Sequence, residues 1–221
     1  MTKYKLMMKQ EIRKIEILIL AAGQSTRMIG INKLLKNLNG KTLVEKVVFQ
    51  SLKSKASNVS IIIQEKDLEI ENVLSLLPIK ILKTSFENIG IGYSISKGME
   101  LLKKNDPEGV LILLGDMPDI TTKHINRMID EFINNSLQKI IRACSENMIP
   151  GNPVLFPKSF FDLLLKLKGD KGARKILNNY NHMIKYIILP KMTALTDIDT
   201  QEQYDEWRKR NSLSKKNLND R

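Results

Sequence analysis

Short apolar runs alternate along this chain with stretches whose apolar residues recur at helical spacing, and this rhythm constrains the fold more than any other feature. Segments 14–20 (KIEILIL), 58–64 (NVSIIIQ) and 110–114 (VLILL) read as buried strands, and weaker strand patterns cover 79–82, 140–143 and 184–189. Between the first two strands, Thr42 and Glu45 have capping-box spacing, and Leu43, Val44, Val47, Val48 and Leu52 mark one face of a helix. Behind a Thr121 cap, Ile125, Met128, Ile129, Phe132 and Ile133 do the same. Segments 72–77, 159–167 and 172–180 read as further helices. Strands that alternate with helices make a sheet that is mainly parallel, so the expected fold class is α/β.

Length and charge narrow the possibilities. With 221 residues and 42% hydrophobic content the chain can pack one domain. The expected domain is 14–207, between a basic N-terminal extension at 1–13 and a basic, disordered tail at 208–221. Cys144 is the single cysteine, which excludes an intramolecular disulfide and a multi-cysteine metal site and suits a reducing compartment. As a small buried filler rather than a nucleophile, it points to no covalent chemistry. No apolar run reaches membrane-spanning length, so a cytoplasmic enzyme is expected. The formal net charge of +12 invites a nucleic-acid reading, but much of the excess sits in the two terminal segments and no aromatics are interleaved with it. A phosphate-rich small substrate accounts for a basic protein equally well.

Directly after the first strand comes Leu20, Ala21, Ala22, Gly23, then Gln-Ser-Thr, Arg27 and Met28, with Gly30 and Lys33 beyond. Two alanines and a glycine let a triphosphate approach the backbone, while Arg27 and Lys33 bring charge to its oxygens. The alternative is an ordinary strand-to-helix turn. The pattern is not a Walker A loop, because the GKT at Gly40 lacks its leading glycine, and it is not GxGxxG either. Asp116 follows the strand VLILL, at the end where open α/β sheets bind ligands; it suits either a magnesium ion or the cap of the helix after Thr121. Asp197 and Asp199, two apart, would share one side of an extended segment, or open a final helix through Thr200, Glu202, Tyr204 and Trp207.

These blocks resemble a known family. LAAGQSTRM…NK looks like the signature loop of the glycosyltransferase-A-like nucleotidyltransferases, and within them the chain is most similar to the molybdenum cofactor cytidylyltransferase (MocA-like) family. GIGYSISKG at 90–98, GDMP at 115–118, GNPVLFP at 151–157, GDKGAR at 169–174 and DIDT at 197–200 follow in the family's order. The resemblance implies a single Rossmann-like three-layer domain with a mixed sheet of the nucleotide-diphospho-sugar transferase type. It implies transfer of CMP from CTP to the phosphate of a molybdopterin-type acceptor, with magnesium as cofactor and pyrophosphate as product. Arg27, Lys33 and Asp116 would be the catalytic set, with Asp116, Asp199 and Asp197 on the metal and Asp199 preferred of the last two. Leu20, Ala21, Ala22, Gly23, Arg27, Lys33, Ser94, Ser96 and Gly115 would line the nucleotide. Gly151, Asn152, Pro153, Gly169, Asp170, Gly172 and Arg174 would face the acceptor. Asn152 stands where many relatives carry histidine, which removes an imidazole from that loop. His124 and His182 fall in no motif. A target molybdoenzyme is an implied partner.

Three other readings compete. The first is guanylyl or other nucleotidyl transfer onto a different phosphorylated acceptor; guanylyl-transferring relatives typically show LAGG where this chain has LAAG. The second is a non-catalytic molybdenum cofactor chaperone, which would have no need of Arg27, Lys33, Asp116 and Asp199 together. The third is nucleic-acid binding driven by the basic termini, which would vanish with them.

Overall fold

A computed structural model describes residues 14–23, 32–38, 40–85 and 90–219. In chain order the elements are β1 (Ile15–Leu20), β2 (Asn37–Leu38), β3 (Lys41–Thr42), α1 (Leu43–Leu52), β4 (Asn58–Gln64), α2 (Leu68–Leu74), β5 (Lys80–Thr84) and α3 (Ile91–Leu102). They continue with β6 (Gly109–Leu114), α4 (Thr122–Asn134), β7 (Ile140–Cys144), β8 (Pro150–Pro157), α5 (Phe161–Leu164), α6 (Arg174–Asn179), β9 (Ile184–Ile188) and α7 (Gln201–Asn219).

Seven strands form one sheet in the order β5-β4-β1-β6-β8-β7-β9, and β2 and β3 pair separately. The strands β5, β4, β1 and β6 are mutually parallel, β8 runs antiparallel to both β6 and β7, and β9 is again parallel to β7. The sheet is therefore mixed and mostly parallel. Its central strands β1 and β6 are buried on both faces because apolar residues fill them almost without a break rather than at alternate positions. In β1, Ile15, Ile17 and Ile19 face a core shared with Val44, Val47 and Val48 of α1, Ile70 and Leu74 of α2, and Ile125, Met128, Ile129 and Phe132 of α4. Leu18 and Leu20 face the opposite core, with Ile95, Met99 and Leu102 of α3, Phe161 and Leu164 of α5, and Ile176 and Leu177 of α6. Helices cover both faces, giving three layers.

The capping box of α1 is complete: the Thr42 hydroxyl accepts from the Glu45 N–H, and the Glu45 carboxylate accepts from the Thr42 N–H at 2.7 Å. Several expectations shift. The block 151–157, whose first three residues the resemblance assigns to an acceptor-side loop, belongs to β8, because Val154 and Phe156 fill one core while Leu155 fills the other. The short helix expected at 72–77 is α2 at Leu68–Leu74, where Ile70 and Leu74 are the buried anchors. The helix expected at 159–167 is a 3-10 turn, Lys158–Phe160, followed by the single turn of α5. The last helix runs through Asn219, so the backbone of 208–219, expected as tail, is helical. No helix among the described residues is long and apolar enough to cross a membrane.

Candidate active site

The carboxyl ends of β1, β4 and β6 lie side by side, and the chain segments that leave them are tied together. Ala21 N–H donates to Ile62 O at 2.9 Å, so that group serves the sheet rather than a ligand. Gln64, buried at the end of β4, donates through Nε2 to Ala22 O at 2.7 Å and so fixes the start of the loop after β1. Gly115 N–H donates to Leu20 O at 2.9 Å, and a Cβ on Gly115 would stand 3.2 Å from Leu20 O and 3.3 Å from Ala21 Cβ. Glycine lets the turn after β6 press against that loop. Gly23 is exposed, with open space around its Cα. Arg27, expected to hold phosphates, lies outside the described residues, as do Met28 and Gly30.

Lys33 opens a 3-10 turn whose cap, Asn32, accepts from Leu34 N–H through Oδ1 at 3.1 Å. Its Nζ donates to Asp116 Oδ2 at 2.6 Å and to Asp199 Oδ1 at 2.5 Å. Three groups separated by 83 and 166 positions along the chain thus meet at one nitrogen. Asp116 arrives on the turn after β6. Asp199 arrives because the segment before α7 is docked: Ile198 N–H donates to Asp116 O at 3.1 Å, and Ile198 packs in a small core with Leu43, Tyr204 and Trp207. Trp207 Nε1 donates to Asp119 Oδ1 at 2.6 Å, and Gln203 Oε1 accepts from the N–H groups of Asp199 and Thr200 at 2.7 and 2.9 Å. The helix cap read at Thr200 therefore coexists with a carboxylate aimed at Lys33, since Thr200 Oγ1 accepts from Gln203 N–H while Asp199 serves the lysine.

Burial alone would weaken the Lys33 ammonium, but attraction and hydrogen bonding from Asp116, and then from Asp199, outweigh it and hold the group above the ordinary lysine range. Burial pushes the Asp197 carboxyl up. Its own backbone N–H opposes that shift, and the neighbouring charges of Asp199 and Asp116 add to it, while Lys33 works against it. Asp116 Oδ1 is buried with no hydrogen-bond partner. An orphaned carboxylate oxygen beside a second carboxylate is a donor set that suits a hard divalent ion, which takes one or two protein carboxylates and completes its shell with phosphate and water. No group of three or more histidine, cysteine, aspartate or glutamate side chains among the described residues is arranged to hold a metal ion.

The remaining expected residues fall into two places. The 90–98 and 169–174 blocks, assigned to nucleotide and acceptor, pack on each other: Gly92 N–H donates to Gly169 O at 2.8 Å, and a Cβ on Gly90 would lie 2.5 Å from the Gly169 backbone. Gly172, at φ +51°, makes room for Ile91 in the same contact. Ser96 Oγ donates to Leu165 O at 2.6 Å, which ties α3 to the end of α5; Ser94 is buried, with Oγ 3.4 Å from Gly90 O. Gly151 and Asn152 lie against residue 194, where Asn152 N–H donates to Ala194 O at 2.9 Å and a Cβ on Gly151 would sit 2.0 Å from the same oxygen. Pro153, joined to Asn152 by a cis peptide bond, is buried, and Asp170 and Arg174 are exposed. His124 closes the cap of α4 and His182 sits in an exposed turn. Gln64 and Arg142 join the site residues without a motif to mark them: Gln64 is a polar residue closing the apolar run Ile61–Ile63, and Arg142 is the one polar side chain within IIRAC apart from its terminal cysteine.

Residues 17–184 match the family model of the MobA-like NTP transferase domain. The purine catabolism protein PucB of Bacillus subtilis is 26% identical over 202 residues, covering 86% of this chain and 94% of PucB. The crystal structure of Rv0371c from Mycobacterium tuberculosis H37Rv superposes with a TM-score of 0.75 at 20% identity, covering 88% of this chain and 96% of that one. Its complex with manganese gives 0.71 at 19% identity, over 87% and 97%. Molybdopterin-guanine dinucleotide biosynthesis protein A of Archaeoglobus fulgidus gives 0.62 at 14% identity, over 90% and 99%. The structural likenesses agree with the mixed sheet, and the family match carries the assignment: this chain belongs to the MobA-like NTP transferase domain family and is a nucleotidyltransferase of that type.

Proposed function

We propose that the chain transfers CMP from CTP to the phosphate of a molybdopterin-type acceptor and releases pyrophosphate. The observation that carries this reading is the meeting of Lys33, Asp116 and Asp199 beside the loop after β1. An acceptor phosphate oxygen would attack the α-phosphorus as the bond to the β-phosphate oxygen breaks. The acceptor is already an anion, so no general base is required, and the protein's contribution is alignment and charge neutralisation. Asp116 and Asp199, with Asp197 alongside, would hold magnesium, which when bound neutralises the oxygens that gain charge during displacement. Lys33 balances the two carboxylates in the free protein and brings a cation to the phosphates in the complex. Arg27 is assigned to the same leaving phosphates.

The CTP preference is supported by the loop LAAG, where Ala22 adds a methyl group beside the nucleobase and its carbonyl is held in place by Gln64. The molybdopterin-type acceptor is supported by the order of the sequence blocks and by the fold shared with the Archaeoglobus protein. Pyrophosphate release with CTP, magnesium and the loaded acceptor tests the reading. Asp116→Ala is expected to lower kcat/KM at least about 100-fold, the scale of losing a positioned charge at a phosphoryl centre. Near-normal turnover of that variant would remove Asp116 from the chemistry, and faster turnover with GTP would reassign the nucleotide.

A further inference from the structure

Arg142 stands in a strand, IIRAC, whose other four residues are buried. Ile141 and Ala143 face the core under α4, while Ile140 faces the opposite core; alternation therefore puts Arg142 on the face covered by α3, α5 and α6. Its neighbours across the sheet are Val154 of β8 and Tyr186 of β9. The side chain is half-buried, and its Nε–H donates to Gly151 O at 3.1 Å, which holds the guanidinium against the start of β8, beside Asn152. Among the described residues no carboxylate pairs with it. Burial weakens its charge, Tyr186 acts the other way, and the second guanidinium of Arg174 adds like-charge repulsion. A guanidinium carries five N–H donors and loses its charge under no ordinary condition, so this one keeps its outer donors in a half-dry place within electrostatic reach of another cation.

An apolar residue at this position would complete the strand at lower cost. An anion with several oxygens would repay the arrangement, because a guanidinium fork binds such oxygens through paired, charge-assisted hydrogen bonds. The position fits the reaction as well. The start of β8 lies beside the end of β6, because β8 runs antiparallel to it, and the end of β6 carries Asp116. We propose that Arg142, together with Arg174 at the start of the helix α6 that covers the same face, is a docking subsite for a phosphate monoester dianion of the acceptor. The word acceptor rests on the nucleotidyl-transfer reading; the anion site does not.

The test uses the full chain without magnesium and inorganic phosphate as the probe, with sodium chloride and sodium acetate at matched ionic strength as controls. A ligand that binds only the folded state raises the melting temperature. Phosphate is expected to raise it where acetate and chloride do not, and Arg142→Met is expected to cut that increment by at least half. Arg142→Lys keeps a charge but not the fork and should fall between; Arg174→Met, at an exposed position, gives a second reading should Arg142→Met not fold. An undiminished phosphate increment in Arg142→Met, or in both other variants, would overturn the proposal, as would an equal increment from acetate. In turnover, Arg142→Lys should raise the KM for the acceptor at least tenfold and leave the KM for the triphosphate within twofold. A rise confined to the triphosphate would assign Arg142 to the nucleotide and overturn the acceptor subsite. Absence of turnover with every triphosphate would sink the transferase reading, while the phosphate increment would still decide the arginine pair.

Discussion

Lys33 sets the electrostatic state of the site. Its ammonium bridges two carboxylates that would otherwise repel each other, and its own side chain is 13% exposed. Lys33→Met keeps most of the side-chain volume and removes the ammonium that both carboxylates share. It is expected to cost about 2 kcal/mol near neutral pH, less than a fully buried pair would lose because Asp199 is 30% exposed. In the wild-type protein the folded-state pKa of Lys33 is raised, so its contribution is fully present below 10.5 and disappears as pH rises through the folded value. Removing the ammonium also removes a competitor for the carboxylates. Magnesium should therefore raise the melting temperature of Lys33→Met more than that of the wild type, and equal increments would show that lysine and metal do not share the site. Asp116 could be placed from sequence because an apolar strand delivers it to the sheet's carboxyl edge. The convergence of Lys33 and Asp199 on it was implied by the family resemblance alone, since in the residues themselves it depends on segments far apart in the chain.

Among the elements, α4 carries a pH response in its first turn. Thr121 Oγ1 accepts from His124 N–H, and His124 Nδ1 in return accepts from Thr121 N–H at 3.3 Å, a capping box with histidine in the position usually held by glutamate or glutamine. That acceptor exists only on a neutral ring. Burial lowers the His124 pKa, and Arg127 and Lys123 lower it further against an opposing pull from Asp119. A depressed folded-state value means that the stability it confers is present above the unfolded value of 6.5 and is lost as pH falls through the folded one. His124→Gln supplies an acceptor that does not titrate; its melting temperature should fall less than that of the wild type between pH 7 and 5, and parallel curves would rule the switch out. At α3 the constraint is steric. Gly92→Ala would place Cβ 2.7 Å from Lys168 O, and about 1–3 kcal/mol of stability should be lost in denaturant titration. Gly90 and Gly92 were conspicuous in the sequence as part of a glycine-flanked ligand block, and their closest neighbours are the backbone atoms of Lys168 and Gly169. β8 was obscured for a similar reason: a glycine and three prolines punctuate it like a loop, while its burial on both faces comes from the helix-covered cores on either side of the sheet.

At the scale of the whole molecule, the site is assembled by a chain that returns to its own beginning. The apolar strands and helix stripes of the first two-thirds encode the three layers locally, and these were readable as periodicity. The return of 197–199 to Asp116 is encoded at a distance, by Tyr204 and Trp207 on α7. Both are buried, Trp207 is held by Asp119, and Tyr204 donates its hydroxyl to Asn37 O beside the Lys33 turn. Helix α7 therefore acts as a strap across the Asp116 and Lys33 segments, and the part that matters is its first two turns. A chain ended after Arg210 keeps both aromatic anchors, whereas one ended after Thr200 keeps Asp199 but loses what positions it. The first truncation should retain pyrophosphate release within a few-fold of the full chain, and the second should lose most of it while its sheet persists by circular dichroism. Trp207→Ala separates anchoring from length. A large aromatic removed from a packed site costs roughly 3–5 kcal/mol, much of it felt in the small core around Leu43 and Ile198. Its activity should fall further than its folded fraction does, because Asp199 loses its fixed approach to Lys33. Equal activity per folded molecule in wild type and Trp207→Ala would mean that the carboxylate holds its place without the strap.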